Sequence, residues 1–157
     1  MNIRTVKAND LLLIAPLSCI VNKMHVDAYP DIYKPMPTDA AEELLASKAS
    51  AKNVFFRVAE NENGLLGYCI SELREVGETS YTWAFRYIYL AEIMIDPSHQ
   101  RTGVGQALIA DLKSIARNQK INRIETDVSE FNSVSHDFFT SQGFDLLRER
   151  LSLIVAD

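Results

Sequence analysis

The chain has 157 residues, of which 47% are hydrophobic and 24% are charged. This composition is ordinary for a soluble globular protein, and the length predicts a single domain over residues 1–157. The formal net charge of −5 argues against a sequence-independent nucleic-acid-binding protein, because such proteins need a basic face. We therefore expect no nucleic-acid partner.

The cysteines and the N-terminus bear on the compartment. The two cysteines, Cys19 and Cys69, lie in apolar stretches and predict buried free thiols in a reducing compartment. No uninterrupted apolar run approaches the length of about 18 residues that a membrane-spanning helix needs. The first ten residues also lack the apolar core of a signal peptide. We expect a cytoplasmic protein without a membrane partner.

The first third of the chain predicts one strand and two helices. Residues 2–8 alternate in polarity and predict a short strand, β1. An apolar helix, α1, is predicted over residues 11–24. Residues 25–37 contain three prolines and two tyrosines, which argues against regular structure. A capping pattern then predicts a second helix, α2, that runs to residue 50.

The middle of the chain predicts a β-hairpin and a central strand. Residues 53–60 are rich in Val and Phe and predict β2. A polar turn over residues 61–64 leads to β3 over residues 65–75. Aromatic residues then alternate over residues 81–89 and lead into the apolar strand β4, which is predicted over residues 87–95.

The last third predicts helices and strands in alternation. An amphipathic helix, α3, is expected over residues 103–118, and a strand, β5, over residues 121–128. A short helix, α4, follows over residues 132–142, and Gly143 suits the position just after its C-cap. Residues 144–155 predict one long strand, or two strands, β6 and β7, joined by a bulge. This order indicates a mixed α/β fold.

The junction between β4 and α3 is predicted to bind an anion. The strand stops at Asp96-Pro97, a polar turn follows, and α3 opens at Gly103-Val104-Gly105. Glycines let backbone N–H groups approach a ligand closely, and the start of a helix adds partial positive charge. Arg101 adds a full positive charge. A phosphate or, better, a pyrophosphate would suit this site.

Three glycine motifs bind phosphate groups, and one of them fits. The P-loop needs a lysine directly after its second glycine, whereas Gln106 follows here. The dinucleotide fingerprint needs a third glycine where this chain has Leu108. The motif Gln/Arg-x-x-Gly-x-Gly/Ala is satisfied in full by residues 100–105. This stretch resembles the acetyl-CoA-binding motif of the GCN5-related N-acetyltransferases, the GNAT family; the alternative is an ordinary tight turn before a surface helix.

A second motif strengthens the resemblance. The family signature on α4 reads Asn-x-x-Ala-x-x-Phe/Leu-Tyr-x-x-x-Gly-Phe. Here Asn132, Phe138, Gly143 and Phe144 match it in register, and Ser135 replaces Ala. The predicted elements also follow the family order, β1-α1-α2-β2-β3-β4-α3-β5-α4-β6-β7, from end to end. The resemblance therefore implies the GNAT fold, a mixed α/β sheet in which β4 and β5 splay apart around acetyl-CoA.

The resemblance also implies which residues bind acetyl-CoA. The pyrophosphate would rest on the turn at the start of α3, and the pantetheine arm would pair with the backbone of β4 as an added strand. Asn132 would hydrogen-bond the pantetheine, act as a plain helix N-cap, or do both. The full predicted set is Ile93, Met94, Ile95, Gln100, Arg101, Thr102, Gly103, Val104, Gly105, Gln106, Asn132, Phe138 and Phe139.

Catalysis is implied to be direct attack of an amine on the thioester, with Glu92 as the candidate base. Glu92 is the one ionisable side chain in residues 90–95, and some family members use a β4 glutamate in this role. Burial would raise its pKa to a useful value. The alternative is a glutamate on a solvated or ion-paired face, and a β-bulge would change which face it occupies. The tyrosine that protonates the leaving thiolate in the family is replaced by Phe139, so Tyr81, Tyr87 and Tyr89 are the remaining candidate acids.

The acceptor site is implied to lie between the loop of residues 25–37 and the aromatic stretch 81–89. The predicted substrate-binding residues are Tyr29, Tyr33, Trp83 and Tyr87, although aromatic residues at alternating positions are also typical of cross-strand packing. Asp96 and His99 are too isolated to indicate a metal site, and we expect no metal.

Two functions from different classes fit these observations. The first is an acetyl-CoA-dependent N-acetyltransferase that acts on a primary amine of a small molecule or a peptide. The alternative is a CoA-binding domain that senses or regulates, or that needs a partner for activity, and Phe139 is the residue that favours it. Dimerisation through a sheet edge is common in the family, and the resemblance leaves a homodimer open.

Overall fold

The central sheet contains five strands in the order β1-β2-β3-β4-β5. The computed structural model describes residues 1–155. Strands β1 to β4 pair antiparallel, and β4 pairs parallel with β5. The strands are β1 (Asn2–Thr5), β2 (Val54–Asn61), β3 (Gly64–Val76), β4 (Phe85–Ile95) and β5 (Ile124–Glu125).

Four α-helices accompany the sheet within the described residues, which confirms the predicted mixed α/β class. They are α1 (Leu11–Ala28), α2 (Thr38–Ser50), α3 (Val104–Asn118) and α4 (Ser133–Ser141). The chain divides into two compact units, Met1–Asp127 and Val128–Asp157. The first unit contains the sheet with α1 to α3, and the second contains α4. The single-domain prediction stays a prediction.

The two faces of the sheet carry different helices. Helices α1 and α2 share an apolar cluster with alternate residues of β2 and β3, such as Val58 and Ile70. Helix α3 contacts β1 to β4 and is joined to β2 by an ion pair between Arg57 and Asp111, whose Nε–Oδ2 distance is 2.7 Å. Because side chains alternate between the two faces of a strand, the position of Arg57 beside Val58 places α3 on the opposite face from α1 and α2.

A β-bulge in β4 changes which side chains face α1 and α2. Ile70 of β3 pairs with Glu92, but the next residue, Ser71, pairs with Leu90, so Ala91 is the extra residue. Without the bulge, Leu90 and Glu92 would lie on the same face. With it, Leu90 shares the α3 face with Ser71, whereas Glu92 shares the α1/α2 face with Ile70.

Strands β3 and β4 approach each other very closely at Gly67. A Cβ atom at this position would lie 2.6 Å from the carbonyl oxygen of Met94 and 3.0 Å from the Cα of Ile95. Both contacts are with backbone atoms, which cannot move without breaking the ladder. Glycine at this position therefore permits the pairing that holds the end of β4 in place.

The C-terminal segment differs from the prediction. Residues 144–155 have no regular secondary structure, and β5 contains only two residues. The predicted strands β6 and β7 are therefore absent from the described part of the chain. Alternating apolar residues are typical of strands, but a strand needs a neighbour or a packed face, and these side chains are exposed. They are Leu146, Leu147, Leu151, Leu153, Ile154 and Val155.

One helical stretch, Ala8–Ala28, is long and apolar enough to cross a membrane, with a mean hydropathy of 1.3. No such helix was expected from the sequence, because the search was for an apolar run without polar residues, and this stretch contains several polar residues. Length and composition are weak indications, since the core helix of a soluble protein passes the same test. Here Ile14, Ala15 and Leu17 belong to the buried cluster of the first unit. That the protein has no membrane partner stays a prediction.

Candidate active site

The glycine turn between β4 and α3 has the backbone conformation of an anion cradle. Arg101 and Gly103 both have positive φ angles, 60° and 90°. Gly103 is the N-cap of α3 and makes no side-chain hydrogen bond there. The first N–H groups of α3 are therefore not capped by a side chain at this position, and they lie at the positive end of the helix dipole.

The loop before the glycine turn is fixed by Asp96. Its carboxylate accepts a hydrogen bond from the backbone N–H of Ser98 over 2.8 Å and caps the short 3-10 helix Pro97–His99. The hydrogen bond from the Ser98 hydroxyl and the one from the Ser98 N–H lower the pKa of the Asp96 carboxyl. The hydroxyl of Thr102 donates to the carbonyl of His99 over 2.6 Å. The loop is therefore held by hydrogen bonds among its own residues and by the Asp96 backbone N–H, which donates to the Leu66 carbonyl of β3 over 2.9 Å.

Strand β4 has an open edge beside this turn. It pairs with β5 only at Ile88↔Ile124 and Tyr89↔Glu125. The Thr126 hydroxyl donates to the Leu90 carbonyl over 2.9 Å, and the contact between β4 and the segment that follows β5 ends there. Beyond that point, Ile93, Met94 and Ile95 pair with β3 on the other side and with no second strand in the described residues. Their open edge can accept an extended amide-containing group as an added strand.

Glu92 lies on the α1/α2 face of β4, beside a buried tyrosine. The Tyr68 hydroxyl donates a hydrogen bond to Oε1 of Glu92, and the Ser18 hydroxyl favours the ionised form of both groups. Burial raises the pKa of the Glu92 carboxyl, and the hydrogen bonds from Tyr68 and Ser18 and the charge of Lys48 oppose this rise. The result is a carboxyl that binds a proton more strongly than an exposed glutamate does.

A row of polar side chains, the polar strip, continues from Glu92 along the same face. Lys48 of α2 forms an ion pair with Glu72, and Arg74 pairs with the same carboxylate over 3.2 Å. The Arg74 guanidinium also lies 3.6 Å above the ring centre of Tyr89. The Tyr89 hydroxyl donates to Asp127 over 3.0 Å. The strip is therefore formed by Lys48, Glu72, Arg74, Tyr89 and Asp127.

Comparison with known proteins supplies the family. Residues 21–144, well over half of the chain, match the model of the Acetyltransferase (GNAT) family. The chain belongs to the GNAT family. No curated protein sequence matches it.

Solved structures agree with the GNAT fold. A tetramutant of the BH1408 protein from Bacillus halodurans superposes with a TM-score of 0.93 at 19% identity, over 99% of this chain and 100% of that one. The aminoglycoside N-acetyltransferase AAC(6')-Iy in complex with CoA gives a TM-score of 0.74 at 19% identity, over 99% and 93%. The aminoglycoside 6'-N-acetyltransferase AAC(6')-IG from Acinetobacter haemolyticus gives 0.73 at 16% identity, over 100% and 99%.

GNAT acetyltransferases use acetyl-CoA as the acetyl donor, and this chain has features that fit that molecule. The uncapped start of α3 suits its pyrophosphate. The open edge of β4 suits the amides of its pantetheine arm. Within residues 1–155, no group of three or more His, Cys, Asp or Glu side chains is placed to hold a metal ion.

The α4 signature residues lie in the second unit of this GNAT chain. The side chain of Asn132 accepts a hydrogen bond from the Ser135 N–H over 3.1 Å, so its N-cap role is confirmed. The ring of Phe139 contacts those of Phe138 and Phe144 with centroid distances of 5.2 Å. Gly143 has a φ of 85°, as expected just after a helix C-cap. The CoA-binding roles of Asn132, Phe138 and Phe139 stay predictions.

The predicted acceptor-site aromatics do not form one group. Tyr33 packs against His25 at the end of α1, with a centroid distance of 5.0 Å, and lies 6.5 Å from Tyr29. Trp83 is 83% exposed in the loop before β4. Tyr87 is the cross-strand partner of Arg74 and so adjoins the polar strip. The substrate-binding roles of these residues stay predictions.

Tyr89 is one of the three tyrosines predicted as candidate acids. Burial and the bond to Asp127 raise the pKa of Tyr89 to about 12, so its hydroxyl stays protonated at neutral pH. Of the residues around Glu92, reasoning from the sequence selected Tyr89 but not Tyr68, Ser18, Lys48, Arg74 or Asp127. The sequence contained one indication of Tyr68: it alternates with Ile70 on β3, the strand that pairs with β4. To predict that Tyr68 lies beside Glu92, however, one would need the register of the β3–β4 pairing, which the bulge shifts.

Proposed function

We propose that the protein is an acetyl-CoA-dependent N-acetyltransferase that transfers an acetyl group to a primary amine of a small molecule or a peptide. The observation that carries this proposal is the position of Glu92. It is a half-buried carboxyl on the strand whose open edge leads to the glycine turn. A base beside the expected thioester position is what direct amine attack requires.

The residues of β4 and the glycine turn would hold the donor. The backbone of Ile93, Met94 and Ile95 would pair with the pantetheine arm, and residues 100–106 would bind the pyrophosphate. An N–H group near Ile93 would stabilise negative charge on the carbonyl oxygen, as an oxyanion hole does. When bound, acetyl-CoA supplies the thioester carbon that the amine attacks.

Glu92 would accept the proton that the amine must lose. Most amines are protonated at neutral pH and cannot attack until a base removes a proton. Because burial raises the pKa of Glu92, its carboxylate is a stronger base than that of an exposed glutamate. In the reaction, a bond forms between the amine nitrogen and the carbonyl carbon, and the carbon–sulfur bond breaks.

The leaving sulfur need not receive its proton from α4. Phe139 has no acidic hydrogen, so it cannot act as the family tyrosine does. A thiol has a pKa of about 8.5, so a thiolate is a tolerable leaving group near neutral pH and can take its proton from solvent. The acceptor would approach along the polar strip, which adjoins Glu92 on the α1/α2 face.

The test is acetyl-CoA turnover, followed by thiol release, against polyamines, amino acids, aminoglycosides and peptides. Calorimetric binding of CoA to the same protein runs in parallel. We expect CoA binding and turnover with one class of amine. Tight CoA binding without turnover across the panel would instead support the sensing or partner-dependent alternative. No CoA binding at all would overturn the roles given to β4 and the glycine turn.

A further inference from the structure

The buried hydroxyl group of Tyr68 takes no direct part in the proposed transfer of the acetyl group. Tyr68 lies on β3 and is fully buried, and its ring packs against Phe56 with a centroid distance of 5.9 Å. A buried tyrosine hydroxyl needs a hydrogen-bond partner. Here the partner is Oε1 of Glu92, the candidate base itself. The two residues meet only because the bulge at Ala91 places Glu92 on the face that Tyr68 occupies.

We propose that Tyr68, supported by Ser18, is a positioning residue that aims the Glu92 carboxylate and favours the ionised form that a base requires. This inference rests on the proposed function, since it gives Glu92 the role of the base. Ser18 belongs to α1, Tyr68 to β3 and Glu92 to β4. The arrangement therefore joins three elements around one carboxyl group.

Tyr68 acts as a fixed donor and not as a proton carrier. Burial, reinforced by the negative charge of Glu92, raises the pKa of the Tyr68 hydroxyl far above its ordinary range. The phenol therefore keeps its proton at neutral pH and can donate a hydrogen bond to Glu92. A hydrogen bond from a permanent donor stabilises the carboxylate relative to the protonated acid.

The surroundings of Glu92 explain why such a donor matters. From α2, the charge of Lys48 favours the ionised carboxylate, but Lys48 is also paired with Glu72 of β3. Arg74 of β3 is likewise paired with Glu72. From α1, Ser18 contributes a hydroxyl and Cys19 a thiol near Tyr68. On β4 itself, Tyr89 donates to Asp127, so Tyr68 and Ser18 are the neutral donors directed at Glu92.

The Tyr68 hydroxyl therefore limits how far burial can raise the pKa of Glu92. Removing it, with the ring retained, should raise the pKa of Glu92 further, so that less of the protein carries the base at neutral pH. A hydrogen bond to a charged group has a strength that corresponds to about one pH unit or somewhat more. The acid limb of kcat/KM should move to higher pH by that amount, while the rate at the alkaline plateau should stay close to that of the unmodified protein.

The experiment compares Tyr68→Phe with Ser71→Ala. Both changes remove one fully buried hydroxyl from β3, but Ser71 lies on the α3 face and donates to the Phe55 carbonyl. The titration of the Glu92 carboxyl is followed by carbon-13 NMR, with the signal assigned through Glu92→Gln. The acid limb of kcat/KM is measured on the same samples. We expect the midpoint to rise by about one pH unit in Tyr68→Phe and to stay unchanged in Ser71→Ala.

An unchanged Glu92 titration in Tyr68→Phe would overturn the inference. If that variant does not fold, Ser18→Ala replaces it, with a smaller shift expected in the same direction; no shift there would also overturn the inference. The NMR titration needs no substrate. If no amine is acetylated but the titration moves as expected, the proposed function fails and the Tyr68–Glu92 coupling stands.

Discussion

The two faces of the central sheet differ in the kind of charge that they enclose. On the α3 face, Arg57 and Asp111 form a complete ion pair, and the buried Cys69 thiol has its pKa raised to about 12 by burial. On the α1/α2 face, Glu92 has two neutral donors and a lysine whose charge is shared with Glu72. One face therefore contains charges that neutralise each other, whereas the other contains a carboxyl whose pKa is raised by burial.

This difference indicates that the α3 face contributes mainly to stability and the α1/α2 face to the proposed chemistry. A charge pair that is complete in the native state stabilises the packing of α3. A half-buried carboxyl with a raised pKa costs stability when it ionises, but it can accept a proton from a substrate. Substitutions on the two faces should therefore produce different kinds of defect.

The largest effect is expected from Glu92→Gln. If Glu92 is the base, its amide analogue should lower kcat by about 100- to 10,000-fold, because the side chain keeps its shape but cannot accept the proton. CoA affinity, measured by calorimetry, should not change, since the proposed donor contacts use the backbone of β4. Glu75→Gln, an exposed glutamate of β3, is the control and should keep full activity. Equal rates for Glu92→Gln and the unmodified protein would exclude Glu92 as the base.

The features that could be predicted from the sequence are those that depend on residues close together in the chain. The β2–β3 hairpin, α2 and α3 are confirmed close to their predicted bounds, because each is encoded by local patterning. The glycine turn lies between β4 and α3 as predicted, with Gly103 at a φ of 90°, and its role in CoA binding stays a prediction. Glu92 was identified as the one charged residue in an apolar strand, which is also a local observation.

The remaining features depend on contacts between distant residues. The bulge at Ala91 is a property of the β3–β4 register, so the face of Glu92 could not be read from β4 alone. Ser18 and Tyr68 are 50 residues apart in the chain and meet only when α1 packs on the sheet. Residues 144–155 show the opposite failure, since their alternating pattern is local but a strand needs a partner. These features are therefore determined by strand pairing and helix packing, which the periodicity of the sequence does not predict.

On the α3 face, Asp111→Asn should reduce stability without changing the pH dependence of the reaction. The substitution leaves the Arg57 guanidinium beside a neutral amide, and the loss of a charged hydrogen bond costs about 2 kcal/mol. Urea denaturation measures this as a lower free energy of unfolding. Lys23→Ala is the control, because the Lys23–Asp27 pair on α1 is well exposed and should contribute less than about 0.5 kcal/mol. A shifted acid limb in Asp111→Asn would show that the two faces are not independent.

In the glycine turn, Gly103→Ala should weaken CoA binding by about tenfold, because a side chain in the left-handed region costs about 1 to 2 kcal/mol. The N-cap of α3 would have to leave its φ of 90°, and the N–H groups behind it would lose their common direction. Calorimetry measures the affinity. Gly77→Ala is the matched control, since a Cβ there would contact nothing within 4 Å. Unchanged CoA affinity in Gly103→Ala would show that the turn does not bind the donor.

The smallest effect, and the one that defines the α1/α2 face most directly, is the pH dependence of stability in Glu92→Gln. Burial raises the pKa of Glu92 above its ordinary value of 4.5, so the native state binds this proton more tightly than the unfolded chain does. The unmodified protein should therefore lose stability as the pH rises from about 4.5 through the raised native pKa. Glutamine has no proton to lose, so the Tm difference between Glu92→Gln and the unmodified protein should shift in favour of the variant over that interval and then stay constant.

Melting curves between pH 4 and pH 9, with Glu75→Gln as the exposed control, measure this difference. A constant difference across the whole range would mean that Glu92 does not ionise in a buried site, and the contrast between the two faces would be lost.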